Sequence, residues 1–352
     1  MRTFIIPSLV DVHVHLREPG QCWKGDIAHE TAAAYHAGFE TIVALPNTTP
    51  AIDTPDRWLE QQERLARDAR VEVFQCAAMT LGRAGKVPVD AAALKEVGVR
   101  FLSDEGATPA DLGVMREVVA RAKDAGLPLI DHCEDAASTR EGECRLVERD
   151  IQLAADTGVS FHLQHLSTAE AVEMLRQAKK DGLPVSGEVT PHHLALTEEA
   201  VQRWGSNAKM SPPLRKESDR QALIEGLVAG TLEVIATDHA PHTAEEKGRP
   251  FAEAPNGIIG LEASLPVCCE VLVRSGRMTL EALLERMTDG PRRVLHLPPA
   301  RKKLVLSCDL EKTEYIHTSS FHSKSLNCPW EGFAVPFVKA VWQGDESLQE
   351  SP

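Results

Sequence analysis

Three features of the sequence predict an α/β fold: a (β/α)8 TIM-like barrel with a small C-terminal β appendage, an incomplete β-sandwich. Short apolar runs recur along most of the chain, amphipathic segments lie between them, and the pattern changes after Pro298. Repeated strand–helix units build parallel sheets, and eight such units close a barrel. We therefore predict a barrel domain over residues 1–300 and an appendage with a polar tail over residues 301–352.

The apolar runs are mostly continuous rather than alternating, which is typical of parallel strands buried on both faces. Eight runs are predicted as strands, at residues 4–12, 41–45, 71–77, 99–103, 127–131, 159–164, 185–189 and 233–237. A doubly wound open sheet is the alternative. It is disfavoured because no glycine-rich phosphate loop follows the first run.

Two predicted helices show how the strands are joined. Residues 111–126 and 169–182 each carry an apolar stripe at helical spacing, and in both the final glycine is followed by Leu-Pro. A glycine ends a helix in the left-handed conformation, and the proline cannot continue it. Beyond the barrel, residues 301–342 are predicted to form short strands and turns, and residues 343–352 a frayed polar tail.

Composition and charge exclude several classes of protein. The chain has 352 residues, 43% hydrophobic and 26% charged, which is ordinary for a globular protein with a sizeable core. The 38 basic residues against 52 acidic ones give a net charge of −14, which argues against a nucleic-acid partner. An anionic substrate must therefore be attracted by local cations. No apolar run reaches about 18 residues, so we expect no membrane span.

The sequence favours a cytoplasmic location. Its first seven residues, 1–7, are too few and too soon polar for a secretory signal. The eight cysteines follow no disulfide framework, which indicates reduced thiols.

Histidines cluster at the C-terminal ends of the predicted strands, where barrel enzymes keep their active sites. His13 and His15 are two residues apart on the first strand and so project from the same face. His132, His165 and Asp238 close the fifth, sixth and eighth strands. Each histidine alone could be a buried structural residue, but the repeated position predicts a metal site. His162 is expected to point the opposite way and to pack outside the barrel.

These candidate ligands indicate two metal ions, and two neighbouring cations need a bridging anion. The fourth predicted strand ends in Asp104 and Glu105 and offers no lysine that could be carboxylated, so a direct carboxylate bridge is favoured. Either carboxylate could serve. Paired ions lower the pKa of a bound water and polarise a carbonyl, and Asp238 could move a proton. This chemistry suits hydrolysis of an amide, or its closure in reverse.

Two residues indicate the substrate. Arg17 lies two positions beyond His15 and should face the same mouth, where a guanidinium could hold a carboxylate through two hydrogen bonds. A salt bridge with Glu18 or with another acidic residue at the rim is the alternative role. Asn47 follows the second strand and can add hydrogen-bond donors.

Eight motifs together resemble dihydroorotase, in the bacterial form of the cyclic amidohydrolase superfamily that bridges its zinc ions with a carboxylate. They are DVHVHLREPG at 11–20, LPNTTP at 45–50, DHCED at 131–135, QHLS at 164–167, EVTPHHL at 188–194, SPPLR at 211–215, ATDHAPHT at 236–243 and NGIIGLE at 256–262. The resemblance implies reversible interconversion of N-carbamoyl-L-aspartate and L-dihydroorotate in pyrimidine biosynthesis, with two Zn²⁺ ions per subunit.

The resemblance also assigns residues. It implies His13 and His15 as ligands of one ion, His132 and His165 as ligands of the other, and Asp238 as both ligand and catalytic proton shuttle. The implied substrate-binding residues are Arg17, Asn47, His242, Asn256 and Gly257. His192 and His193 would lie behind the ligands.

Three departures from the family pattern stand out. Glu105 occupies the position of the usual bridging Asp, and Ser211 replaces an Asn that contacts the ring. The chain also begins almost at the first barrel strand, so residues 321–332 are expected to form one half of a sandwich without its N-terminal partner.

Two alternatives stay open. One is another cyclic amidase, such as a hydantoinase, dihydropyrimidinase or allantoinase, although those relatives typically use a carboxylated lysine. The other is a non-catalytic scaffold that assembles with aspartate transcarbamoylase, although such proteins usually lose metal ligands. The expected partners are the small-molecule substrate and, as further candidates, a second copy of the chain or aspartate transcarbamoylase.

Overall fold

The computed structural model describes residues 1–344, so the predicted tail at 343–352 lies outside the described residues except for its first two positions. The strands in the described part are β1 (Arg2–Pro7), β2 (Leu9–Val14), β3 (Phe39–Ala44), β4 (Glu72–Gln75), β5 (Leu129–Asp131), β6 (Phe161–Leu163), β7 (Val185–Val189), β8 (Val234–Ile235), β9 (Lys303–Tyr315) and β10 (Ala334–Trp342). The α-helices there are α1 (Ile27–His36), α2 (Pro55–Asp68), α3 (Ala91–Glu96), α4 (Leu112–Ala125), α5 (Arg140–Thr157), α6 (Ala169–Lys180), α7 (Pro191–Ala195), α8 (Ala200–Trp204), α9 (Glu217–Val228), α10 (Ala244–Lys247), α11 (Leu261–Cys268), α12 (Leu280–Glu285) and α13 (Asp289–Val294). Over the described length, no helix is long and apolar enough to cross a membrane.

A closed parallel barrel is formed by β2 to β8 and one further residue. The strands β2, β3 and β4 pair in that order, and β5 to β8 pair in sequence. Leu102 joins the two groups through parallel pairings with Ala77 and Leu129, and Val14 pairs with His239 to close the circle. The fourth predicted strand, residues 99–103, is therefore reduced to a single paired residue in its predicted place.

Two apolar clusters hold the barrel together. The smaller one includes side chains at β2, β3, β4, β5 and β8 and at the fourth predicted strand: Val10, Val12, Val43, Leu45, Cys76, Phe101, Ile130, Val234 and Ala236. The larger one lies between the strands and the helices, where Met115 of α4 and Leu175 of α6 are fully buried. Burial on both faces explains why most strand sequences are apolar without alternation.

The predicted helix ends are confirmed. Asp111 caps α4 by accepting a hydrogen bond from the backbone N–H of Val114 at 2.9 Å, and Gly126 ends the helix with a φ of 64°. Gly182, two residues after α6, has a φ of 73°. Such left-handed residues turn the chain back so that the next strand can begin.

The appendage is a three-stranded antiparallel sheet in the order β1-β9-β10. In it, Arg2 lies opposite Cys308 and Pro7 opposite Lys303. The prediction of one strand over residues 4–12 is therefore wrong. Pro7 has no amide hydrogen to continue a ladder, and it separates the partly exposed β1 from the fully buried β2. The appendage does have an N-terminal partner, and residues 2–7 belong to its sheet rather than to the barrel.

The interpretation of residues 321–332 as half of a sandwich is also wrong, because this segment contains no strand. It connects β9 to β10 and bonds to the barrel instead. The hydroxyl of Ser323 donates to Glu30 at 2.7 Å, and that of Ser325 donates to the backbone oxygen of Lys24 at 2.6 Å. We call residues 322–328 the C-terminal strap.

Candidate metal and substrate site

Four side chains that could hold one metal ion meet at the ends of β2 and β8: His13, His15, Glu105 and Asp238. Asp238 Oδ1 lies 3.3 Å from His13 Nε2 and 2.9 Å from His15 Nε2. Glu105 Oε2 lies 3.7 Å from His13 Nε2. All four residues are almost completely buried.

A second group shares Glu105 with the first and adds His132 and His165. Glu105 Oε1 lies 3.3 Å from His132 Nδ1, and Glu105 Oε2 lies 3.8 Å from His165 Nε2. Asp104 points elsewhere, since it accepts hydrogen bonds from the backbone N–H groups of Met79 and Thr80 and from the hydroxyl of Thr80. Of the two carboxylates that the sequence left open, Glu105 is the one that faces both groups.

The donor atoms suit metal ions. Four ligands placed tetrahedrally about 2.0–2.1 Å from zinc are about 3.3 Å apart, close to several separations found here. The ring nitrogens of His132 and His165 face each other at 2.8 Å. Within residues 1–344, the buried atom Glu105 Oε2 has no hydrogen-bond partner. A cation between these atoms would satisfy that oxygen, and these groups could therefore bind metal.

The charges of the site keep its carboxylates ionised. Burial opposes the charged form of Glu105, but His132 and His13 hold its pKa well below the usual value. Burial likewise opposes ionisation of Asp238, and His13 and His15 hold its pKa below the usual value. Burial lowers the pKa of His132, but Glu105 and Glu134 together outweigh it and raise the pKa to about 10. Burial also opposes the charged form of His13, but Asp238, Glu188 and Glu105 raise its pKa well above the usual value, whereas burial lowers the pKa of His15. The carboxylates thus favour positive charge at His13 and His132, next to the position that a metal cation would take.

Further side chains orient the ligands. His13 Nδ1 lies 2.6 Å from Glu188 Oε1, and His15 Nδ1 lies 2.8 Å from Asn47 Oδ1. These contacts leave Nε2 of both rings facing the centre of the site. Such partners fix the orientation of ligating histidines. Asn47, predicted as a substrate donor, lines the cavity and at the same time holds His15.

The position of His162 corrects the sequence prediction. His162 is not packed outside the barrel: it is buried, with Nδ1 2.9 Å from Ser186 Oγ and Nε2 3.0 Å from Glu188 Oε2. The prediction failed because His165 has a positive φ of 33°, so strict alternation does not continue beyond β6. Glu188 was missed as a functional residue, although an acid in a buried strand was a signal for it.

The two histidines of the EVTPHHL motif, His192 and His193, are both buried. His193 Nδ1 lies 2.7 Å from Thr190 Oγ1, and its Nε2 lies 3.1 Å from the backbone oxygen of Pro212. His192 is buried beside it, with ring centroids 4.6 Å apart.

A cavity of about 210 Å³ opens beside the two groups. The side chains and backbone around it include every residue predicted to bind substrate: Arg17, Asn47, His242, Asn256 and Gly257. Ser211 also lines it and donates a hydrogen bond to Glu134, whose Oε2 lies 3.2 Å from His132 Nε2. Ser211 is therefore connected through Glu134 to the candidate ligand His132 as well as facing the cavity.

Arg17 is the main cation of this cavity and is only 7% exposed. Its Nε donates to the backbone oxygen of Pro241 at 3.2 Å, and its Nη2 lies 3.2 Å from His242 Nε2. The expected alternative, a pair with Glu18, does not form, because Glu18 accepts from the backbone N–H of Ile27. In the part of the chain that the structure describes, Arg17 has no carboxylate partner at all.

A second cation near the cavity was missed by the sequence analysis. Lys24 Nζ lies 3.4 Å from His242 Nδ1 and 3.6 Å from Glu246 Oε1. Burial, together with Arg17 and Lys24, lowers the pKa of His242 to about 2, so this ring is neutral at physiological pH. The cavity thus combines a fixed guanidinium with a neutral imidazole.

A third buried group, Asp131, Cys133 and Asp150, has the composition of a metal site but already contains a cation. Arg149 Nη2 lies 2.6 Å from Asp131 Oδ2, and its Nε lies 2.7 Å from Asp150 Oδ1. We interpret this group as an ion-pair network that supports the end of β5.

Comparison with known proteins identifies the family. The dihydroorotase of Bacillus caldolyticus is 40% identical over 94% of this chain and 83% of its own, and that of Geobacillus thermodenitrificans is 41% identical over the same shares. The chain belongs to the dihydroorotase family. A family profile described as dihydro-orotase-like matches residues 2–148 of this family member. It is accordingly an enzyme, a cyclic amidohydrolase, and the family assignment favours dihydroorotase over the hydantoinase alternative.

Solved structures confirm the fold of this dihydroorotase. An L-hydantoinase from Arthrobacter aurescens superposes with a TM-score of 0.86, at 23% identity, over 97% of this chain and 85% of its own. A dihydropyrimidinase from Brevibacillus agri gives 0.84, at 19% identity, over 96% and 83%. At such identities the likeness concerns the fold alone, and it confirms the predicted barrel with a β appendage.

Proposed function

We propose that this dihydroorotase depends on zinc and interconverts N-carbamoyl-L-aspartate and L-dihydroorotate in pyrimidine biosynthesis. The observation that carries the proposal is Glu105, which faces both groups of candidate ligands beside a cavity that contains Arg17. A buried guanidinium without a carboxylate partner supports a substrate that brings its own carboxylate.

Two Zn²⁺ ions per subunit are proposed. His13, His15 and Asp238 would hold one ion, His132 and His165 the other, and Glu105 would bridge them. Histidine nitrogen and carboxylate oxygen are ordinary zinc donors. When bound, the ions would supply an activated water and would polarise the ring carbonyl.

Asp238 is proposed to move the proton. In ring opening, the water oxygen bonds to the ring carbonyl carbon and the ring C–N bond breaks. Asp238 accepts one proton of that water and delivers it to the departing nitrogen, while the other proton is lost when the new carboxyl group ionises. Since His13 and His15 hold its pKa low, Asp238 begins this direction as a carboxylate.

The remaining cavity residues are proposed to position the ring. Arg17 would hold the substrate carboxylate through charged hydrogen bonds. His242, Asn256 and Gly257 would contact the ring from the opposite loops. A Cβ atom at Gly257 would lie 2.7 Å from Ala240 Cβ, so only glycine lets the backbone lie this close to His242.

Metal analysis joined to an ultraviolet assay of dihydroorotate ring opening tests this function. The purified chain should contain two zinc ions and should be active, and His13→Ala should lose metal and activity together. A chain that keeps its zinc but does not convert dihydroorotate would instead favour the scaffold alternative. Efficient turnover of dihydrouracil would favour a hydantoinase-like activity.

The proposal extends to location and assembly. Eight free thiols support a cytoplasmic location. The family resemblance supports two assemblies, a homodimer and a complex with aspartate transcarbamoylase. Size-exclusion chromatography of the chain, alone and mixed with that enzyme, tests both.

A further inference from the structure

Two loops carry the substrate-facing residues of the C-terminal half of the barrel. Residues 240–242 follow β8 and include His242, and residues 256–258 include Asn256 and Gly257. A backbone hydrogen bond from Ala240 N to the oxygen of Ile258, 2.8 Å long, holds their ends together.

One side chain of the C-terminal strap bonds to both loops. Asn327 Oδ1 accepts a hydrogen bond from the backbone N–H of His242 at 2.9 Å. Asn327 Nδ2 donates to the backbone oxygen of Ala240 at 3.0 Å and to that of Gly257 at 3.1 Å. Each of the three bonds ends on backbone atoms, so Asn327 fixes where the loops lie.

Asn327 is 4% exposed and does not line the cavity beside the metal groups. The strap that carries it is held to the barrel independently, through Glu30 and the backbone of Lys24. The loop at residues 256–258 is also held by a hydrogen bond that does not involve Asn327, since Lys247 Nζ donates to the Gly257 oxygen at 2.8 Å. Removing Asn327 should therefore shift the two loops rather than unfold them.

We propose that Asn327 is a positioning residue for the substrate. It sets the spacing between His242 and Gly257, and through them the shape of the side of the cavity that faces the ring. Its side chain does not line the cavity, and its hydrogen bonds go to His242, Ala240 and Gly257 rather than to a candidate metal ligand. This inference rests on the proposed function, since His242 and Gly257 matter here as substrate contacts.

The test compares KM, kcat, zinc content and unfolding temperature in four proteins: the wild type, Asn327→Ala, Asn327→Asp and Val335→Ala. Val335 is buried in β10, in the apolar cluster next to the strap, and makes none of these hydrogen bonds. Its truncation is a matched control because it should lower the unfolding temperature and leave KM unchanged.

Asn327→Ala should raise the KM for dihydroorotate about tenfold with zinc content unchanged, since a displacement of about 1 Å outside the chemistry can cost up to about 100-fold. We expect kcat to stay within about threefold. Asn327→Asp should raise KM at least as much, because its second oxygen faces two carbonyl oxygens instead of donating to them. Because Asn327→Asp keeps the acceptor for His242, its effect isolates the bonds to Ala240 and Gly257, and the unfolding temperature shows whether each variant is folded.

A KM within about twofold of the wild type in a folded, zinc-loaded Asn327 variant would overturn the inference and leave the proposed function intact. An equal rise of KM in Val335→Ala would also overturn it, since the effect would then follow from lost stability. A wild-type chain that neither binds nor converts dihydroorotate would remove the proposed function, and the inference with it.

Discussion

Replacing Arg17 by lysine should selectively impair substrates that carry a carboxylate. The guanidinium is buried, is anchored through Nε to the Pro241 oxygen, and has no carboxylate partner among residues 1–344. A lysine ammonium in its place cannot offer two parallel donors to a carboxylate while it keeps the bond to Pro241.

The magnitude follows from the hydrogen bond lost. One charge-assisted hydrogen bond to the substrate is worth about 1.5–3 kcal/mol. Its loss corresponds to a decrease of about 10- to 200-fold in kcat/KM. We expect most of it in KM, because the carboxylate is held in the ground state as well as in the transition state.

The assay follows ring opening in the ultraviolet for dihydroorotate and for dihydrouracil, which lacks the carboxylate. Wild-type protein should convert dihydrouracil poorly, and Arg17→Lys should change that rate far less than the rate with dihydroorotate. Zinc content should be unchanged. Arg57→Lys, at a half-exposed arginine paired with Asp53, is the control. An equal loss with both substrates would refute the proposed contact between Arg17 and the carboxylate.

Four further predictions concern the same site. Glu105→Gln should lower zinc content and activity together. Asp104→Asn should keep its zinc and lower the free energy of unfolding by about 1–3 kcal/mol, because it disturbs buried hydrogen bonds to residues 79 and 80. Metal analysis and denaturant titration distinguish the two variants, and a larger loss of zinc in Asp104→Asn than in Glu105→Gln would assign the bridge to Asp104. Asp238→Asn should retain zinc at least in part and show no turnover in either direction, so appreciable activity with zinc bound would leave Asp238 as a ligand only. The ratio of ring-opened to ring-closed substrate at equilibrium should rise about tenfold per pH unit near neutrality, because ring opening creates a carboxyl group of ordinary pKa about 4 and releases its proton; an equilibrium independent of pH would contradict the reaction. The pKa of His242 is about 2 in the folded protein, below the ordinary value of about 6.5, so the unfolded chain binds more protons between these pH values and the free energy of unfolding decreases as pH falls below about 6.5. Between about pH 7 and pH 5, the free energy of unfolding of substrate-free His242→Gln should therefore decrease by about 1–2 kcal/mol less than that of the wild type. Denaturant titrations that give the same decrease for both proteins would refute this.

The barrel and the meeting of the candidate ligands at one end of it could be predicted because both leave local signals. Buried parallel strands need continuous apolar sequence, and candidate ligands at strand ends appear as polar residues that interrupt it, as His13 and Asp238 do. The choice between Asp104 and Glu105 could not be made locally. It depends on which of the two carboxylates accepts hydrogen bonds from the backbone of residues 79 and 80, about 25 positions away in sequence.

The errors have a similar cause. Residues 4–12 are apolar throughout, and only their pairing with Lys303–Tyr315 shows that Pro7 divides them between two sheets. Lys24 and Asn327 act through contacts with His242 that span 218 and 85 positions of sequence. Neither residue lies in a motif that signals chemistry, so nothing local singles it out.

The fold by itself does not decide which ring this enzyme opens, because hydantoinases share it at TM-scores up to 0.86. The choice is made by a few charges within the site. A neutral ring would leave the buried Arg17 guanidinium with no carboxylate among residues 1–344 in hydrogen-bond contact, whereas a ring with a carboxylate supplies that partner. The rest of the surface does not attract an anionic substrate, because the net charge of the chain is −14. With His242 neutral and Lys24 paired to Glu246, Arg17 is the charged basic side chain that lines the described cavity and is available to the substrate. The selectivity of the enzyme should therefore change with Arg17 and stay the same when surface charges are altered.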